Sequence, residues 1–107
     1  ALKYSDGTHT IDDVEAQIKA GWLQFWPSVN GAVVTEIQEY PQKTVLNIFL
    51  CGGDWRECIE MGDAFIEPWA RENGCTAFRQ YGRKGWLRAL LKHGWRAVFY
   101  VMQRDFK

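Results

Sequence analysis

Trp55, Cys58, Ile59, Gly62, Phe65, Ile66, Trp69 and Ala70 fall at steps of three and four. That spacing puts them on one face of an amphipathic helix from about Asp54 to Glu72. Asp54 is its natural N-cap, and Asn73-Gly74 is a C-cap. Pro68 lies inside the run and predicts a kink or break in the helical ladder near Ala64. Two strand-like runs flank this helix. Thr44–Leu50 precedes it and ends in Cys51-Gly52-Gly53, and Cys75–Tyr81 follows it. A strand, a long helix and a second strand in that order fold as an α/β unit.

The rest of the chain extends this unit on both sides. Upstream, Ala32–Tyr40 is β-branched and reads as a strand, with Val34, Glu36, Gln38 and Tyr40 on one face and Val33, Thr35, Ile37 and Glu39 on the other. The short Pro41–Lys43 connection joins it to Thr44–Leu50 as a hairpin. Further upstream, Ile11, Val14 and Ile18 make the apolar stripe of a helix with Thr10 as N-cap and Asp12 and Asp13 in its first turn. Gly21 closes that helix, and the aromatic cluster Trp22, Phe25 and Trp26 follows; it either docks the helix on the sheet or faces a partner. Downstream, Gly82–Gly85 turns into a helix from Trp86 to His93, Gly94 caps it, and Arg96–Gln103 reads as a final strand. The expected architecture is one α/β domain over residues 1–107, a mixed twisted sheet with helices on both faces.

Bulk composition excludes several classes. At 107 residues the chain supports a single core without staples. Thirteen basic residues balance thirteen acidic ones, which argues against a dedicated nucleic-acid module. No apolar run reaches the roughly 18 residues that a membrane span takes, and the N-terminus lacks the pattern of a signal peptide. Ala1 fits a start left by removal of an initiator methionine. The three cysteines, Cys51, Cys58 and Cys75, form neither a disulfide framework nor a zinc motif. They read as buried reduced thiols, and a reducing compartment follows.

The zero net charge hides an asymmetry. From Asp54 to Asn73 lie Asp54, Glu57, Glu60, Asp63, Glu67 and Glu72 against Arg56 and Arg71. From Arg79 to Arg96 lie Arg79, Arg83, Lys84, Arg88, Lys92 and Arg96 with no acid. Two solvated faces explain this pattern. So does complementarity, in which copies pair or the basic side meets an acidic partner or a nucleic-acid backbone. Trp22, Phe25, Trp26, Trp86 and Trp95 would supply apolar anchors beside Arg79, Arg83, Lys84 and Arg88.

Several of these segments resemble GNAT-type acetyltransferases, and most closely the small GNAT-like proteins that bacteriophages encode. The matching pieces are Val34–Pro41, the Leu50-Cys-Gly-Gly-Asp54 junction, Ala70–Cys75, Gly82-Arg-Lys-Gly-Trp-Leu-Arg88 and Gly94-Trp95, spread over about two-thirds of the chain. The resemblance implies a GNAT-like fold. It also implies a place for a cofactor: catalytic members hold the coenzyme A pyrophosphate on a Gln/Arg-x-x-Gly-x-Gly/Ala loop that opens the long helix. The corresponding residues here are Cys51, Gly52, Gly53, Asp54 and Trp55. The glycines suit close approach of a phosphate; Asp54, Glu57 and Glu60 oppose it, since an N-capping carboxylate takes the amides and the negative charges repel. Acid–base candidates are Glu36 and Glu39 as bases and Tyr81 or Tyr100 as acids, each of which also reads as an ordinary strand residue. His93, at a helix C-terminus, complements the dipole.

The resulting expectation is a phage-encoded GNAT-like protein that acts non-enzymatically, through protein–protein contacts in virion structure or assembly. No cofactor is expected, self-association is among the partners, and the location is the infected host's cytoplasm or the virion. The alternative is an acetyl-coenzyme A-dependent N-acyltransferase, and the third reading is a nucleic-acid contact through the basic face.

Overall fold

A reciprocal capping box opens the first helix, α1 (Ile11–Lys19). The Asp13 amide donates to the Thr10 hydroxyl at 3.2 Å and the Thr10 amide donates to the Asp13 carboxylate at 2.9 Å. The computed structural model describes residues 7–81 and 84–106, with the backbone alone for 84, 85 and 87. After α1 the chain forms β1 (Gln24–Pro27), antiparallel to β2 (Gly31–Glu39). The sequence reading saw only an aromatic cluster at β1. The strand is four residues long and ends in proline, which an edge strand tolerates because its missing N–H can face away from the ladder. Trp26 turns inward, its indole N–H donating to Thr35 at 3.0 Å and its ring meeting Trp69 edge-on at 5.5 Å.

β2 and β3 (Thr44–Gly53) make the predicted hairpin, closed by the Tyr40 amide donating to the Lys43 carbonyl at 2.8 Å. Val34 pairs with Leu50 and Thr35 with Ile48, so Phe49 is left over as a β-bulge. The bulge resets the alternation of side chains. Phe49 and Leu50 both pack with Val14, Leu23 and Val34 under α1. Leu46, Ile48 and Cys51 turn to the opposite face and join Cys58, Met61, Ile66 and Ala70.

That opposite face is covered by the long helix, which is not a uniform α-helix. It runs as α2 (Trp55–Met61), a π-helical turn (Gly62–Ile66) and α3 (Glu67–Glu72). Pro68 stands at the start of α3, where its missing amide donor and its ring are accommodated by the widened turn before it. The break expected near Ala64 is therefore a π-turn. It also shifts the helical phase, so that Ile66 is fully buried while Phe65, which the regular spacing placed on the same face, is 68% exposed.

β4 (Ala77–Arg79) lies parallel to β3, and the sheet order is β1-β2-β3-β4. With α1 on one face and α2–α3 on the other, the mixed sheet with helices on both faces is as expected. α4 (Lys84–Leu91) stops short of His93, which lies in the following turn.

The final strand expected at Arg96–Gln103 is not formed: residues 96–106 join no helix or strand and are exposed. The course of the chain explains why. Trp95 stacks on Phe78 at 5.8 Å, whereas Phe99 lies against Tyr81 at 5.9 Å and over Arg79 at 5.3 Å. Phe78 and Arg79 are neighbours in a strand and face opposite sides. The segment therefore crosses the edge of β4 from one face to the other and cannot run along it.

Candidate functional site

The junction between β3 and α2 is where a phosphate-binding loop was sought. Gly53 adopts φ +87° there, and a Cβ on it would stand 2.1 Å from the Asn30 carbonyl oxygen and 2.6 Å from the Gly31 Cα. The gap left by the glycine is thus filled by the turn between β1 and β2. The Asp54 amide donates to the Asn30 carbonyl at 2.8 Å. The Asp54 carboxylate accepts from the amides of Arg56 at 2.9 Å and Glu57 at 3.3 Å, two of the donors that the first turn of the helix leaves without an intrahelical partner. Glu57 folds back and accepts from the Asn30 backbone amide at 3.0 Å and its side-chain amide at 2.9 Å. Arg56 points its guanidinium over the Trp55 ring at 5.4 Å.

The Asn30 backbone amide, and after it the Asn30 side chain, hold the Glu57 carboxyl below the usual carboxylate range. A lowered folded pKa stabilises the fold above the ordinary glutamate value of about 4.3, and the effect is lost as the pH falls through the folded value. Glu57→Gln should accordingly lower the melting temperature at neutral pH and converge with the parent in acid. A difference that stayed constant from neutral pH into acid would contradict this.

Beside the junction, burial and then the neighbouring Cys58 thiol push the Cys51 thiol up to about 12. Such a thiol is protonated at neutral pH and is no nucleophile. Cys58 and Cys75 are buried, and burial raises Cys75 as well. Among the described residues no group of three metal-ligating side chains could hold an ion.

A second cluster crosses the sheet. Register sets Glu36 of β2, Asn47 of β3 and Arg79 of β4 abreast. The Tyr40 hydroxyl donates to Gln38 at 3.2 Å, and Gln38 donates to Glu36 at 3.2 Å. Arg79 lies 5.5 Å over the Tyr40 ring. Tyr81 is near enough to Tyr40 that, after burial, their contact raises its hydroxyl. The structure therefore brings Glu36 and Tyr81 to one polar row and leaves Glu39 off it, on the other parity of β2. Asn47 is buried with its side-chain oxygen unpartnered among the described residues. Sequence reasoning passed over Asn47, although a lone amide in the middle of an apolar strand was the available signal.

Of the candidate interaction residues, Trp22 is 73% and Phe25 52% exposed. Trp86 and Trp95 line an apolar cleft with Ile59, Ile66 and Phe78. Arg88 is exposed, and Arg79 is held between the rings of Tyr40 and Phe99. Arg83 lies outside the described residues, and Lys84 is described by its backbone alone.

Comparison with protein-family profiles and with curated protein sequences gave no match. Among solved structures, the chain is similar to a Trypanosoma brucei acetyltransferase with a TM-score of 0.62 and 17% identity, over 90% of this chain and 78% of that one. At that identity the likeness establishes the fold, which is the GNAT-like acetyltransferase fold.

Proposed function

We propose that this chain uses an acetyltransferase fold for protein–protein contact, as a phage-encoded component of a particle or of its assembly, and transfers no acetyl group. One observation carries the reading. Two of the amides at the start of α2 that a pyrophosphate would need bare, those of Arg56 and Glu57, already donate to the Asp54 carboxylate. Glu57 adds a second negative charge at the same turn, and the close packing of Gly53 on Asn30 removes the room that the glycines promised. The bacteriophage setting rests on the sequence resemblance described above.

Calorimetric titration with acetyl-coenzyme A tests the reading. No saturable heat is expected up to millimolar ligand. Saturable binding in the micromolar range would overturn it and favour the N-acyltransferase alternative. For that alternative Glu36, beside the buried and unpartnered Asn47 oxygen, is the base to replace first. The nucleic-acid reading draws little from Arg79, whose guanidinium lies between two rings.

A further inference from the structure

We propose that residues 96–104 form a strap, hinged at Trp95, that has two positions, and that Arg79 exchanges partners between them. In the docked position Arg79 lies against Phe99 and Tyr40. In the released position it turns back across the sheet to Glu36 and Asn47, and the strap leaves the domain. The inference goes beyond the contact reading and does not depend on it.

Three polar groups of one row lack the partners that their positions offer. Glu36, Asn47 and Arg79 stand abreast on β2, β3 and β4, so their side chains share a face. Asn47 is 4% exposed, and its side-chain oxygen accepts no hydrogen bond among the described residues. Such an orphan costs more than a made hydrogen bond gains. Glu36 accepts from Gln38, but among the described residues Glu67–Arg71 is the only ion pair, so neither Glu36 nor Arg79 has one. β2 and β4 are two strand spacings apart, roughly 9–10 Å. An arginine and a glutamate side chain together cover that span, and the short Asn47 side chain stands between them. A guanidinium laid across it pairs with the Glu36 carboxylate and donates to the Asn47 oxygen.

The strap is what draws Arg79 away. Its guanidinium lies 5.3 Å over the Phe99 ring and 5.5 Å over the Tyr40 ring. Both rings are about half exposed, and cation–π contacts are weak at such sites. Phe99 in turn rests on Tyr81 at 5.9 Å. The next three residues are largely exposed: Tyr100 is 81%, Val101 67% and Met102 90%. Trp95 is the hinge because its stack on Phe78 is on the other face of the sheet and takes no part in the exchange. Two sets of contacts thus compete for one guanidinium, and weakening either set strengthens the hold of the other.

The test is chymotryptic cleavage of the full chain at the Phe99–Tyr100 bond, timed by mass spectrometry. The protease must take the Phe99 ring into its own pocket, so the rate follows the released population when docking is fast. Glu36→Gln and Asn47→Leu each remove a partner that Arg79 has only in the released position. Each should therefore slow cleavage by about two- to tenfold, the range that one net hydrogen bond is worth. A second measurement follows Arg79 directly. Phe99→Ala keeps the fold, since Phe99 lies outside the helices and the sheet, and it frees Arg79 from the strap. In that variant the Arg79 Nε–H, observed by nuclear magnetic resonance, should exchange slowly with water, and adding Asn47→Leu should restore fast exchange. Fast exchange in Phe99→Ala alone overturns the inference. So does cleavage that is unchanged or faster in both variants, or slowed in only one of them; slowing in Glu36→Gln alone would trace to its contact with Gln38 and Tyr40.

Discussion

Gly53→Ala should destabilise the fold by about 2–5 kcal/mol, the sum of roughly 1–2 for an L-residue in the left-handed region and 1–3 for forced overlap. The overlap is with backbone: Asn30 oxygen at 2.1 Å and Gly31 Cα at 2.6 Å, so no rotamer change relieves it. The turn between β1 and β2 would have to move. That turn is tied to the helix start by three hydrogen bonds, one from Asp54 and two to Glu57. Urea denaturation gives the number, and a loss below about 1 kcal/mol would show the turn to be free to shift. Gly62→Ala is the control. Gly62 has φ −57° and no atom near its missing Cβ, so alanine there should be neutral or slightly stabilising. The Gly53 result also bears on coenzyme tests. A Gly53 variant that binds nothing could simply be unfolded, which makes Asp54 the better position to probe.

Leu46→Ala should cost about 2–5 kcal/mol, the range for removing a large side chain from a packed core. Leu46 is fully buried, paired with Ile37 on one side and Phe78 on the other, and belongs to the cluster that includes Ile66 and Ala70. It therefore ties three strands to the π-turn and α3. Phe65→Ala on the same helix removes a larger side chain but should change stability by no more than about 0.5 kcal/mol, because Phe65 is 68% exposed. Equal losses at the two positions would mean that the helix keeps a regular α-helical phase in solution.

The contrast between Phe65 and Ile66 marks how far the sequence carries. Caps and hairpins are local, and they were legible: Thr10 with Asp13, Asp54 ahead of α2, and the turn between β2 and β3 all stand where residue types place them. The bulge at Phe49 and the π-turn at Gly62–Ile66 were not. Each inserts one residue into a repeating pattern, and the pattern before and after looks regular when read alone. Pro68 signalled a disturbance without saying which kind. The strand at Arg96–Gln103 was misplaced for another reason. Its residues have the right propensity, but propensity cannot say whether an edge is reachable, and Trp95 on Phe78 with Phe99 on Arg79 takes the chain across that edge. At the candidate site, Asp54 could be judged from sequence because N-capping depends on a few neighbouring residues. The row of Glu36, Asn47 and Arg79 could not, since it exists only once three strands are in register.

The Asp54 carboxylate has a thermodynamic corollary. A protein that leaves a helix start open for a ligand gains stability in proportion to the logarithm of ligand concentration once sites begin to fill. Its resistance to heat and proteases then rises and falls with the metabolic state of the cell. Here the anion is covalently part of the chain and bonded to the amides of Arg56 and Glu57 in every folded molecule. The stability that this capping contact supplies therefore does not scale with the concentration of any ligand.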